Sequence, residues 1–198
     1  RFRGLREVLA AGALDEVRRA AAGQTPDASL DDIEYLPPIC DPGKILCVGL
    51  NYKTHVEETG RTETEHPSIF VRFADSVVGH RQPMVKPKLS DQFDYEGELA
   101  VIIGKPAWRV STAEALAHVA GYACFNDGSI RDYQRHTSQW TPGKNFRASG
   151  AFGPWLVATD EVPDPTRLTL VTRLNGRELQ RATTDLLIYP IPVIISYV

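Results

Sequence analysis

The stretch DYEGELAVIIGK, residues 94–105, sets two carboxylates two positions apart at the start of an apolar run. Side chains at i and i+2 of a strand share a face, so Glu96 and Glu98 stand side by side while Tyr95, Gly97 and Leu99 point elsewhere. The LAVII run marks a strand that passes through a core, where two like charges repel and lose hydration. One reading of the pair is two surface acids on a partly exposed strand. A third acid supplies another, because Asp127 follows a second apolar strand in CFNDGS. Three hard oxygen donors at strand ends suit Mg or Mn, with the other coordination positions left to water or substrate. Calcium shares the preference for oxygen but wants more ligands than this set supplies unless backbone carbonyls join. No Cys or His cluster lies near, which argues against a catalytic zinc.

Outward from this stretch the chain reads mostly as strand. KILCVGLNY from Lys44, SIFVRFAD at 68–75 and GELAVIIG at 97–104 are buried-strand patterns bounded by Gly, Pro or Asp. ACFND and FGPWLVAT add two more strands, and LTLVTRLNGREL a hairpin that turns at Asn175-Gly176. ALDEVRRAAAG, 13–23, predicts a short amphipathic helix closed by Gly23, followed by a Pro-rich connecting arm. STAEALAHVAGY, 111–122, predicts the clearest internal helix, with Ser or Thr at its start, Glu114 in its first turn and apolar residues at helical spacing. Few, separated helices among many strands indicate an α+β chain. Residues 1–39 read as a helical and arm region, and 40–198 as a β-rich catalytic domain.

Of the 198 residues, 42% are apolar and 24% charged, enough for one sizeable core. The formal charge of -3, with basic residues dispersed, gives nucleic acid no stripe to bind. No run approaches the ~18 apolar residues of a membrane span, and no GxGxxG or P-loop pattern occurs. Cys40, Cys47 and Cys124 form neither a disulfide framework nor a zinc cluster, and buried apolar thiols are the commoner case. With no secretory segment before Arg1, the expected location is cytoplasmic. The chain stops inside the apolar segment PIPVIISYV, so the β-rich domain is read as incomplete at its C-terminal end.

Two polar segments carry further chemistry. In NYKTHVEETG, 51–60, a helical turn would set His55 and Glu58 on one face, as a surface pair or as a base whose imidazole a carboxylate orients. NDGSIRDYQRHTSQWTPGKNF, 126–146, follows directly from the third acid. Arg131 and Gln134 are spaced to reach a carboxylated ligand, and Lys144 after Pro142-Gly143 to place a fixed charge against an oxyanion. An exposed loop with solubilising charges is the alternative, although loops of this length are usually functional.

The four motifs VGLNYKTHVEETG, DYEGELAVIIGK, NDGSIRDYQRHTSQWTPGKNF and GPWLV, in this order over roughly residues 40–198, resemble the fumarylacetoacetate hydrolase family. That family includes 2-hydroxyhepta-2,4-diene-1,7-dioate isomerases and other members of ring-cleavage pathways of aromatic catabolism. The resemblance implies a mixed β-sandwich roll behind a small N-terminal region, usually as a homodimer. It implies Mg or Mn on Glu96, Glu98 and Asp127, a water-activating dyad of His55 and Glu58, Lys144 near the reacting carbonyl, and Arg131 and Gln134 near the substrate. The implied substrates are 2-oxo or 2,4-dioxo acids. The expected reaction is hydrolysis of an acylpyruvate to pyruvate and a carboxylic acid through a metal-stabilised enolate. Isomerisation, decarboxylation or hydration through the same enolate is the alternative, and a non-catalytic metal-bound domain a third. Two departures stand out. Family chains continue past TTDLLIYPIPVIISYV into a Gly-Thr-Pro loop and further strands, and Pro190 with Pro192 disfavour a long uninterrupted helix there.

Overall fold

The helix signal at 13–23 is realised, and a shorter helix that the sequence reading left out precedes it. The computed structural model describes residues 1–53 and 64–198, and opens with helices α1 (Leu5–Ala10) and α2 (Leu14–Ala21). Asp15 and Glu16 in the first turn of α2 and Arg18 and Arg19 in its last match the helix dipole at both ends. Leu9 packs with Ile102 and Ala123 of the central sheet, joined by Leu5, Leu14 and Ile39, so the N-terminal segment shares a core with the strands. The arm that follows has no regular structure, and ion pairing of Arg81 with Asp31 at 2.8 Å ties it down.

The strands come next. β1 (Ile45–Gly49) pairs antiparallel with β2 (Ser68–Arg72), Cys47 opposite Phe70. In chain order follow β3 (Val77–Val78), β4 (Phe93–Asp94), β5 (Gly97–Ile103), β6 (Val119–Asn126), β7 (Ser129–Ile130), β8 (Gly150–Phe152) and β9 (Val157–Ala158). They form a mixed sheet of order β3-β8-β6-β5, with β9 also on β6 and the β3 and β8 pair parallel, and a separate antiparallel β4 and β7 pair. β10 (Thr169–Leu174) and β11 (Arg177–Thr183) make the expected hairpin. Asn175 and Gly176 both have positive φ, 51° and 79°, the backbone that a two-residue turn needs to follow the strand twist.

The chain ends in a helix, Ile191–Tyr197, started by Pro190 with Pro192 in its first turn, where a missing N–H costs nothing. Its Ile191 and Ile195 bury against Ala115, Val119 and Tyr122. Among the described residues, no helix is long and apolar enough to cross a membrane.

The helix expected over 111–122 does not form. Ser111 and Glu114 make the predicted start, the hydroxyl donating to Glu114 Oε2 at 2.7 Å, but only a 3-10 turn, Ala115–His118, follows. Val119 is already extended (φ -79°, ψ 132°) and begins β6, which pairs with β5 from Val119 opposite Ile103 to Asn126 opposite Gly97. Pairing along a buried strand outweighs a few residues of helical periodicity. One side-chain expectation also changes, because Cys40 and Cys124 are exposed.

Candidate active site

The register of β5 and β6 assembles the acids. The Asp127 N–H donates to the Glu96 carbonyl at 2.8 Å, carrying the ladder one step past Gly97 and Asn126. Glu96 and Asp127 therefore face each other at the strand ends, and Glu98 stands two residues along the same strand. β4 pairs with β7, Asp94 opposite Ser129, which brings Asp94 beside the helical turn Arg131–Gln134. A second turn, Thr141–Lys144, with Pro142 in its first positions, delivers Lys144. Glu96, Glu98, Asp127, Arg131, Gln134 and Lys144 all line one open cavity of about 1520 Å³.

Lys144 is the hub. Its side chain is 1% exposed, and Nζ donates to Asp127 Oδ2 at 2.6 Å and to Glu96 Oε2 at 3.0 Å, 4.9 Å from the centre of the Phe70 ring. Glu96 Oε1 accepts from Arg131 Nη1 at 2.5 Å and from the Ser129 hydroxyl at 2.8 Å. Arg131 in turn gives Nε and Nη2 to Asp94 Oδ2 at 2.8 and 2.7 Å, and Nη1 to Gln134 Oε1 at 3.0 Å. Behind Asp127, Arg72 Nη1 donates to Oδ1 at 2.6 Å.

Charges in this network do not balance. Among the described residues four carboxylates, of Asp94, Glu96, Glu98 and Asp127, face three cations, of Arg72, Arg131 and Lys144, and Glu98 is the acid that accepts no hydrogen bond. Burial works against the charge of Glu96, but Lys144 and Arg131 outweigh it and hold that carboxyl below its ordinary range. Burial first, then Glu96 and Asp127, push the Glu98 carboxyl up to about 8 against the partial relief of Lys144. Burial and the charge of Glu98 likewise lift the Tyr52 phenol to about 12. Burial and then Asp127 raise the Cys47 thiol, which is therefore no ready nucleophile.

An all-oxygen donor set in which Glu98 accepts no hydrogen bond from the described residues matches a hard divalent cation in kind. Among the described residues no three acidic, His or Cys side chains converge as a ligand group, since Lys144, Arg131 and Arg72 take up the oxygens of Glu96 and Asp127.

Of the residues singled out in the sequence, these six are brought together, while His55 and Glu58 lie outside the described residues. Arg131 and Gln134 are joined to each other, with the Arg131 guanidinium bracing Glu96 from Asp94. Four participants had escaped notice: Arg72, Asp94, Ser129 and Ser149. Arg72 carries a usable signal, since Phe70 and Arg72 alternate inward on β2 and a buried arginine at a strand end needs a carboxylate. Ser129 and Ser149 leave no trace in a sequence.

Comparison with known proteins identifies the family. Residues 44–198 match the family model for the fumarylacetoacetate (FAA) hydrolase C-terminal domain. Human "Oxaloacetate tautomerase FAHD2A, mitochondrial" is 38% identical over 187 residues, which cover 93% of this chain and 60% of that protein. The chain thus spans about 60% of the length of this curated relative. The crystal structure of 5-carboxymethyl-2-hydroxymuconate delta-isomerase from Mycobacterium smegmatis superposes with TM-score 0.77 at 35% identity, covering 88% of this chain and 68% of that one. The fumarylacetoacetate hydrolase of psychrophilic Exiguobacterium antarcticum gives 0.78 at 31% identity, covering 98% and 69%. With the family model matching more than half of its length, the chain has the fold of, and belongs to, the fumarylacetoacetate hydrolase family.

Proposed function

We propose that this chain carries the enolate-handling site of an enzyme acting on a 2-oxo acid, and that its main chemistry is isomerase-type proton transfer. The observation that carries the reading is Lys144, a cation buried in the cavity wall and held by two carboxylates. A fixed positive charge away from bulk water stabilises negative charge that develops on a substrate oxygen, and needs no reorganisation to do so. In a keto to enol conversion the C3–H bond breaks and its electron pair becomes the C2=C3 double bond, the carbonyl π pair moves onto the 2-oxo oxygen, and that oxygen takes up a proton; no C–C bond breaks and no water is consumed. Lys144 faces that oxygen, Arg131 keeps Glu96 ionised and in place, and Gln134 offers its amide to the substrate carboxylate. Glu96, Glu98 and Asp127 would hold Mg or Mn, which when bound supplies Lewis-acid polarisation of the 2-oxo acid. Names of relatives that include oxaloacetate tautomerase and a muconate delta-isomerase support this class of reaction.

A second reading is hydrolysis of a 2,4-dioxo acid of acylpyruvate type to pyruvate and a carboxylic acid. It is favoured by the His55 and Glu58 pair in NYKTHVEETG, a combination suited to activating water. Tyr52, three residues before His55, lines the cavity and feels the charge of Glu98, which supports this reading. Homodimerisation rests on the family resemblance and is checked by sedimentation.

The test is a product-resolved assay with Mg or Mn restored after chelation. Enol oxaloacetate is followed by ultraviolet absorbance, and acylpyruvates by coupled detection of pyruvate. Accelerated loss of the enol with no pyruvate from acylpyruvates supports the first reading, and the reverse pattern replaces it with the second.

A further inference from the structure

Arg72 is the one guanidinium of the network that has no surface on the cavity. Its side chain is 0% exposed and it is absent from the cavity wall, so it touches no substrate. Three contacts fix it. Nη1 donates to Asp127 Oδ1 at 2.6 Å and to the Gly128 carbonyl at 3.1 Å, and Nη2 to Ser149 Oγ at 2.7 Å. The Ser149 hydroxyl also lies 3.3 Å from the Lys144 carbonyl. Arg72 thus grips the acid that Lys144 pairs with and, through one hydroxyl, the backbone of Lys144 itself.

Two features argue that this is more than core filling. Among the described residues Arg72 Nε is buried with no partner, a cost that a chain selected only for stability would avoid with an apolar residue. Space is also reserved for the fork: a Cβ on Gly150 would sit 2.7 Å from Nη2 and 2.9 Å from the guanidinium carbon. With Oδ1 of Asp127 held from behind, only Oδ2 is left to face Lys144 and the cavity.

We infer that Arg72 is a positioning residue, which through Asp127 and Ser149 sets the place of Lys144 and the direction of Asp127 Oδ2. A point charge is not enough for this role, because a lysine ammonium cannot reproduce the planar fork that spans Asp127, Gly128 and Ser149. The consequence for turnover rests on the functional reading above; the placement itself does not.

The test compares crystal structures and kinetics of the unsubstituted chain with Arg72→Lys, Ser149→Ala and Gly150→Ala. In Arg72→Lys the Asp127 carboxylate is expected to turn, the Lys144 to Asp127 Oδ2 contact to open, and kcat for enol oxaloacetate to fall at least about tenfold with KM within about threefold. Ser149→Ala, which removes one acceptor and little volume, is expected to shift Lys144 in the same direction with a smaller loss. Gly150→Ala, by displacing the guanidinium, should copy the Arg72→Lys pattern. Asp127 and Lys144 unmoved in Arg72→Lys and Ser149→Ala would overturn the inference, whatever the activity. A displaced Asp127 in variants of a chain that turns over none of the substrates upholds the positioning role and removes the functional reading instead.

Discussion

Lys144 Nζ stands 2.6 Å from Asp127 Oδ2, with the two side chains 1% and 5% exposed. This contact joins the turn Thr141–Lys144 to the end of β6, and it sets both the electrostatics and the stability of the site.

Removing the ammonium exposes how the acids depend on it. Lys144→Met is expected to abolish turnover and to cost about 3–5 kcal/mol in urea denaturation, because Glu96 and Asp127 lose the cation they share. Stability equal to that of the unsubstituted chain would mean that Arg72 and Arg131 suffice.

Glu98 predicts a pH dependence in the metal-free chain. Its carboxyl stands at about 8 in the fold against an ordinary 4.5. Between those values the folded state keeps a proton that the unfolded state has released, so stability falls as pH rises, by up to about 1.4 kcal/mol per pH unit. Urea midpoints from about pH 5 to about pH 8 in chelator should decline, and the decline should disappear in Glu98→Gln.

Metal addition should act through the same group. Mg or Mn at about 100 times its dissociation constant is expected to add about 2.7 kcal/mol of stability, seen as a raised melting midpoint. In Glu98→Gln this increment and turnover should be lost together. A full increment in that variant would count against Glu98 as a ligand.

His55→Ala separates the two proposed chemistries. Pyruvate release from acylpyruvates should vanish, while keto to enol exchange of oxaloacetate, which needs no water nucleophile, should survive. Equal loss of both would assign His55 to the proton transfer itself.

Asn51 tests a contact between uncharged groups. Its amide gives Nδ2 to the Tyr189 carbonyl at 3.0 Å and accepts from the Tyr189 N–H at 2.7 Å, locking the end of β1 to the lead-in of the terminal helix. Asn51→Ala should cost about 1–3 kcal/mol by thermal denaturation, since two backbone groups lose their partners.

Much of this protein could be read from local signals. Alternation and apolar runs located β1, β2, β5 and the β10 and β11 hairpin, and i, i+2 spacing put Glu96 and Glu98 on one face, because these patterns depend only on backbone geometry. Four motifs in order identified the family. Tertiary structure decided what depends on which strands meet. It turned 119–122 from helix into the strand that carries Asp127 opposite Glu96, since ladder hydrogen bonds and burial outweigh a short stretch of helical spacing. It also supplied Arg72, Asp94, Ser129 and Ser149, whose roles arise from contacts 33 to 77 residues apart along the chain that no local pattern encodes. Glu96, Glu98, Asp127, Arg131 and Lys144 were legible in the sequence; Arg72, Asp94 and the hydroxyls that brace them were settled only when the strands paired.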